Sequence, residues 1–289
     1  MAFIKDKTKQ EVMQILFQNS VEILRATHDD LITSLISGHT TTDIKSNPTL
    51  RYHMQDISAK VRRGKQPSIY YQQLVDVNGT SPNKVEISQI RNKMIFYTRA
   101  QPRIAIRTQD FHLFIGQVDK AFGSWQTIEP VENSENRRCV SKKNKGQRHA
   151  IDKHRSIVDR FAKMVMARMS SDGKPLDGQL FSPLAETGHA THWSRLGDHA
   201  NHRQNSNFPM DLAEAICKVY PEWKKYRIAQ YAISPVWRIS HATAGELLFS
   251  RLLQVYDDDG GGFSFYGAGL KPPRCVQYSY GKLGQMGVG

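Results

Sequence analysis

The sequence predicts an α+β protein that is mainly helical. Three observations carry this. Apolar residues recur at three- and four-residue intervals through much of the first seventy residues and again in several later stretches. Between Ile69 and Ile106, short β-rich runs alternate with turn signals. Arg103-Ile104-Ala105-Ile106-Arg107 alternates strictly and leads straight into a helical pattern.

In chain order, Val12, Met13, Leu16, Phe17, Val21 and Leu24 describe an amphipathic helix from Asp6 to Ala26. A shorter helix spans Asp29 to Ser37 and stops at Gly38. After the polar run His39 to Asp43, the spacing of Leu50, Met54, Ile57 and Val61 gives a third, with a basic end at Lys60 to Lys65. The runs at Val85 and Ile87, at Met94 to Tyr97, and at Ile104 and Ile106 read as two or three strands, separated by Asn78-Gly79, Ser81-Pro82 and Gln101-Pro102. Thr108 caps a helix carrying Phe111, Phe114, Ile115, Val118 and Phe122, which Gly123 ends. Further helices are expected from Ala150 to Met169, from Met210 to Tyr220 and from Ala242 to Tyr256. A polar loop occupies Gly173 to Asn207, and the C-terminal segment is rich in glycine. Three regions result: a helical 1–68, a strand-and-helix core 69–170 with a basic arm at 131–148, and 171–289 with the polar loop, two helices and the glycine-rich end.

Forty Lys and Arg against 27 Asp and Glu give a formal charge of +13, which points to a polyanionic partner: DNA, RNA or an acidic membrane surface. The apolar content of 39% excludes a disordered chain. Three dispersed cysteines, Cys139, Cys217 and Cys275, suggest neither a disulfide framework nor a cysteine zinc site, so a reducing, cytoplasmic setting is expected. The start MAFIKDKTKQE has no apolar core of a signal peptide, and no run of 18 apolar residues occurs, so neither secretion nor membrane spanning is expected.

The basic arm is the strongest functional signal. From Arg137 to Arg155 there are eight Lys or Arg and one Asp, so seven of the thirteen net charges lie there. Such a segment gains affinity by displacing counterions from phosphates. The strand Arg103 to Arg107 is more specific, because alternation puts both arginines on one face and both isoleucines on the other. A strand followed at once by a capped helix begins a ribbon-helix-helix-like unit, in which two chains pair strands and present arginine to guanine in the major groove. The expected DNA contacts are Arg99, Arg103, Arg107, Arg137, Arg138, Lys142, Lys143, Lys145, Arg148, Lys153 and Arg155. The aromatics Tyr70, Tyr71, Tyr97 and Trp125 read as core or half-buried.

The block Met94-Ile95-Phe96-Tyr97-Thr98-Arg99-Ala100, followed by Phe111 and Trp125, resembles the AcaB-type transcription regulators of conjugative plasmids and integrative elements. The resemblance covers residues 90–126 and implies a ribbon-helix-helix DNA-binding unit embedded in a larger chain. The partners expected of the chain are double-stranded DNA, a second copy in a homodimer, and RNA polymerase.

His189, His192, His199 and His202, beside Asp198, put four imidazoles within a short span, which is a possible zinc set; the surrounding Gly188, Gly197, Asn201 and Asn205 favour a solvated loop, and no metal is expected. GxxxxGK[ST], GxSxG and HExxH are absent, and His241 reads as part of a helix start with its capping residues. The expected function is sequence-specific transcriptional regulation without a cofactor. A viral or phage nucleic-acid-packaging protein, or a metal-dependent nuclease using the histidines, are the alternatives.

Overall fold

The computed structural model describes residues 8–64, 66–99, 117–118, 121, 147–171, 178, 180, 183–192, 194, 196, 207–253 and 263. Over these residues it is α+β and mainly helical, with one antiparallel three-stranded sheet in the order β2-β1-β3.

Four helices open the chain. Helix α1 (Lys9–Ala26) starts at a reciprocal cap: the Thr8 hydroxyl accepts from the Glu11 amide at 3.3 Å, and the Thr8 amide donates to the Glu11 carboxylate at 2.7 Å. Helix α2 (Asp29–Ser37) keeps the expected bounds and ends on Gly38 at φ 76°. The polar run after it forms a helix of its own, α3 (Thr40–Ser46), within the region expected to be helical. Its threonines are poor helix formers, but tertiary contacts override them. Thr40 and Thr41 are buried and donate to Ser34 O at 3.1 Å and Gly79 O at 2.5 Å. Helix α4 (Pro48–Gly64) buries Leu50, Met54, Ile57 and Val61, as their spacing predicts, and Asn47 caps it by accepting from the Thr49 and Leu50 amides.

Strand β1 (Ser68–Val75) is buried along its whole length because it is central, paired on both sides. Strand β2 (Ala185–Ala190) lies within the stretch expected to be a polar loop, and β3 (Arg227–Pro235) falls where no element is expected. Gly188 and His189 have little strand character of their own; β2 exists because its backbone pairs with Ser68 to Gln73. The sheet thus joins a strand from 69–170 with two from 171–289.

Helix α5 (Lys84–Arg99) corrects the strands expected at Val85, Ile87 and Met94 to Tyr97. Its buried residues Ile87, Ile90, Met94 and Tyr97 are spaced three, four and three apart, a helical stripe that outweighs their β propensity. Asn83 and Glu86 cap it reciprocally, at 2.9 and 3.0 Å. The strand-and-turn motif Met94 to Ala100 is therefore helical as far as Arg99. Helix α6 (Gln147–Ser171) and α7 (Phe208–Val219) match the expected helices within a few residues. A 3₁₀ turn (Pro221–Trp223) leads to β3, and α8 (Ile239–Leu252) begins three residues before the expected start. His241 lies inside α8, and Arg238, the N-cap, makes no side-chain cap bond, so the capping expected at His241 is corrected.

Two apolar clusters hold these elements. One gathers Ile87, Ile90, Met94 and Tyr97 of α5, Val158, Phe161 and Val165 of α6, and the buried residues of α7, around Leu74. The other gathers α1 to α4, α8 and the sheet residues Ile69, Tyr70 and Tyr71. Tyr70, Tyr71 and Tyr97 are all buried, as expected. Among the described residues no helix is long and apolar enough to cross a membrane.

Candidate nucleic-acid interface

Helix α6 is two-faced. Val158, Phe161, Ala162 and Val165 are buried, while Arg155, Ser156, Asp159, Arg160 and Lys163, at spacings of one, three, one and three, border a surface cavity of about 480 Å³. Three cations and one carboxylate line it. The Arg155 Nε is buried and has no acceptor among the described residues. Arg168, on the same helix, is not part of this face: it is buried.

Of the expected DNA contacts, Arg155 is the one whose side chain is described, and the fold brings it together with Arg160 and Lys163. Arg148 and Lys153 lie on α6 and Arg99 ends α5, but their side chains are outside the described residues. Arg103, Arg107, Arg137, Arg138, Lys142, Lys143 and Lys145 lie outside them entirely, as does the strand of the ribbon-helix-helix reading. His189 sits in β2 and His192 just after it, so their spacing is not that of a helical turn; His199 and His202 are outside the described residues. Among the described residues no three metal-ligating side chains cluster.

A second basic concavity is not among the sequence expectations. Lys45, Arg51 and Arg62 line a groove of about 640 Å³ together with Ile44, Met54, Gln55, Ser58, Ala59 and Tyr231, and no carboxylate is among the lining residues. Part of its signal is present in the sequence: Arg51, Gln55, Ser58 and Arg62 are spaced four, three and four apart on α4, a polar stripe beside the apolar one. What the sequence does not show is that Tyr231, far along the chain on β3, faces it.

The acidic groups nearest the α5–α7 cluster have structural partners. Glu86 accepts from the Tyr226 hydroxyl at 2.5 Å and pairs with Lys225 at 3.1 Å. Burial pushes its pKa up, but these hydrogen bonds and the lysine outweigh that and hold it below the usual carboxylate value. Glu214 accepts from the Ile228 amide at 3.0 Å, and the pKa of the Cys217 thiol beside it is pushed up by burial and by these two carboxylates, which disfavours the thiolate.

No family model, no curated protein and no solved structure matches this chain.

Proposed function

We propose that this protein binds double-stranded DNA through a cationic surface on α6 and acts, as a homodimer, as a sequence-specific transcriptional regulator of a mobile genetic element. The observation that carries the reading is the face of α6, where Arg155, Arg160 and Lys163 surround one cavity on a helix whose opposite side is buried. A rigid helix holding three cations on one side suits a phosphate backbone, and the +13 charge of the chain supplies the long-range attraction. Helix α6 also continues the basic segment that begins at Arg137, so arm and helix form one run of positive charge in the sequence. In this reading phosphate contacts position the protein. Base readout belongs to the ribbon-helix-helix-like unit, with Arg103 and Arg107 toward guanine edges.

The test is a salt titration of duplex binding by the full chain and by Arg155→Ala/Arg160→Ala/Lys163→Ala. The expected result is weaker binding to every duplex, with a salt slope shallower by about 0.9 for each phosphate the variant no longer neutralises. An unchanged slope would remove α6 from the interface. Binding that is indifferent to sequence in the parent protein would favour the packaging reading.

A further inference from the structure

We propose that the groove between α4 and β3 is a binding site for an unpaired nucleic-acid strand, distinct from the duplex surface on α6. Its lining is sorted by chemistry along its length. Lys45 and Arg51 stand together, since the Arg51 guanidinium donates to the Lys45 carbonyl and the Lys45 ammonium to the Val77 carbonyl. Each cation is thereby held in place and keeps further N–H donors for a phosphate. Arg62 lies eleven residues beyond Arg51 on α4, about 16 Å along the helix. Between Arg51 and Arg62 on α4 lie Met54 and Ala59, with Gln55 and Ser58 as hydrogen-bonding groups, and the half-buried Tyr231 of β3 lines the same groove. Asp56, the acidic residue of α4, is turned to Lys60 at 2.7 Å and is not part of the lining.

Cations at both ends, apolar residues between them and an aromatic ring in the same lining match a ligand with anionic groups separated by a flat apolar one. A nucleic-acid strand has that form, phosphate, base, phosphate, and aromatic platforms in basic grooves bind it with little regard to sequence. A mononucleotide would use one charged end and leave the other empty.

The experiment measures binding of a fluorescently labelled oligothymidine strand to the full chain, with AMP and inorganic phosphate as competitors. Gln55 and Arg62 are exposed, so Gln55→Glu and Arg62→Ala leave the core intact. Each is expected to weaken strand binding about tenfold. Tyr231→Phe should retain affinity and Tyr231→Leu lose about tenfold; ultraviolet crosslinking of the strand to Tyr231 gives a readout independent of folding in the leucine variant. The proposal is overturned if both α4 variants bind the strand as the parent does, if no crosslink reaches Tyr231, or if AMP competes as well as the strand. The α6 triple variant separates the two readings. Loss of duplex binding with strand binding kept supports the groove as its own site. If the α6 variant loses both ligands while the α4 variants lose neither, the groove fails and the duplex surface stands.

Discussion

The ring of Tyr70 lies over Gly188, its partner across β1 and β2, so closely that a β-carbon at 188 would overlap the phenol. The glycine is thus the space in which a buried aromatic sits, and its cost to the strand is offset by the packing of the ring. Gly188→Ala should destabilise the protein by about 1–3 kcal/mol by overpacking. Pairing it with Tyr70→Ala should recover part of the loss, a non-additivity that urea unfolding of the two single variants and the double variant will measure. Additive losses would mean the two residues do not meet.

A second prediction concerns how α3 is fastened to the sheet. Thr41 donates to the Gln73 side chain at 3.1 Å and to Gly79 O, and Gln73 also accepts from the Tyr71 hydroxyl. Thr41→Val keeps the volume and removes the donor, so a loss of about 1–2 kcal/mol is expected. Gly79→Ala should cost more, because φ is +84° there and a β-carbon would stand 2.6 Å from the Thr41 carbonyl oxygen. Thermal unfolding of the two variants side by side checks the order.

The third is a pH dependence. His53 and His28 approach ring to ring at 4.9 Å, and the His53 Nε2 is buried without an acceptor among the described residues. Burial first, and then the neighbouring imidazole and Lys60, lower the His53 pKa against the opposing pull of Asp56. The unfolded chain therefore binds this proton more readily than the folded one. The stability His53 contributes is complete above about pH 6.5 and is lost as pH falls below that through the depressed folded value. His53→Phe should flatten the pH dependence of the urea midpoint in that window, and a midpoint curve unchanged by the substitution would contradict the assignment.

The fourth bears on base readout. If Arg103 and Arg107 meet guanine edges, alanine at either position should remove about 1–3 kcal/mol of discrimination while random-sequence affinity barely moves. Competition between a specific duplex and random duplex DNA gives both numbers at once. Equal loss for both would reduce the segment to another basic surface.

Features that a single helix decides locally are legible in the residues alone. The stripes Leu50–Met54–Ile57–Val61 and Val158–Phe161–Val165 recur at the helical period, Gly38 takes the left-handed angle that ends α2, and the cations of α6 fall on the side opposite its apolar one. These follow from 3.6 residues per turn and from glycine's freedom at positive φ, and neither needs a distant partner. Helix α5 was legible on the same grounds, through Ile87, Ile90, Met94 and Tyr97, yet β-branched and aromatic residues spoke for strands.

The sheet and the α4 groove come instead from contacts between segments far apart in the chain. Strand β2 is a polar, glycine-containing segment until β1 offers its backbone, and α3 is a threonine run until Gly79 and Ser34 accept its hydroxyls. Tyr231 joins Arg51 and Arg62 across a long separation in sequence because β3 returns to pair with β1 beside α4. Such pairings depend on which backbone and which volume arrive from elsewhere in the chain, and local periodicity carries no record of that.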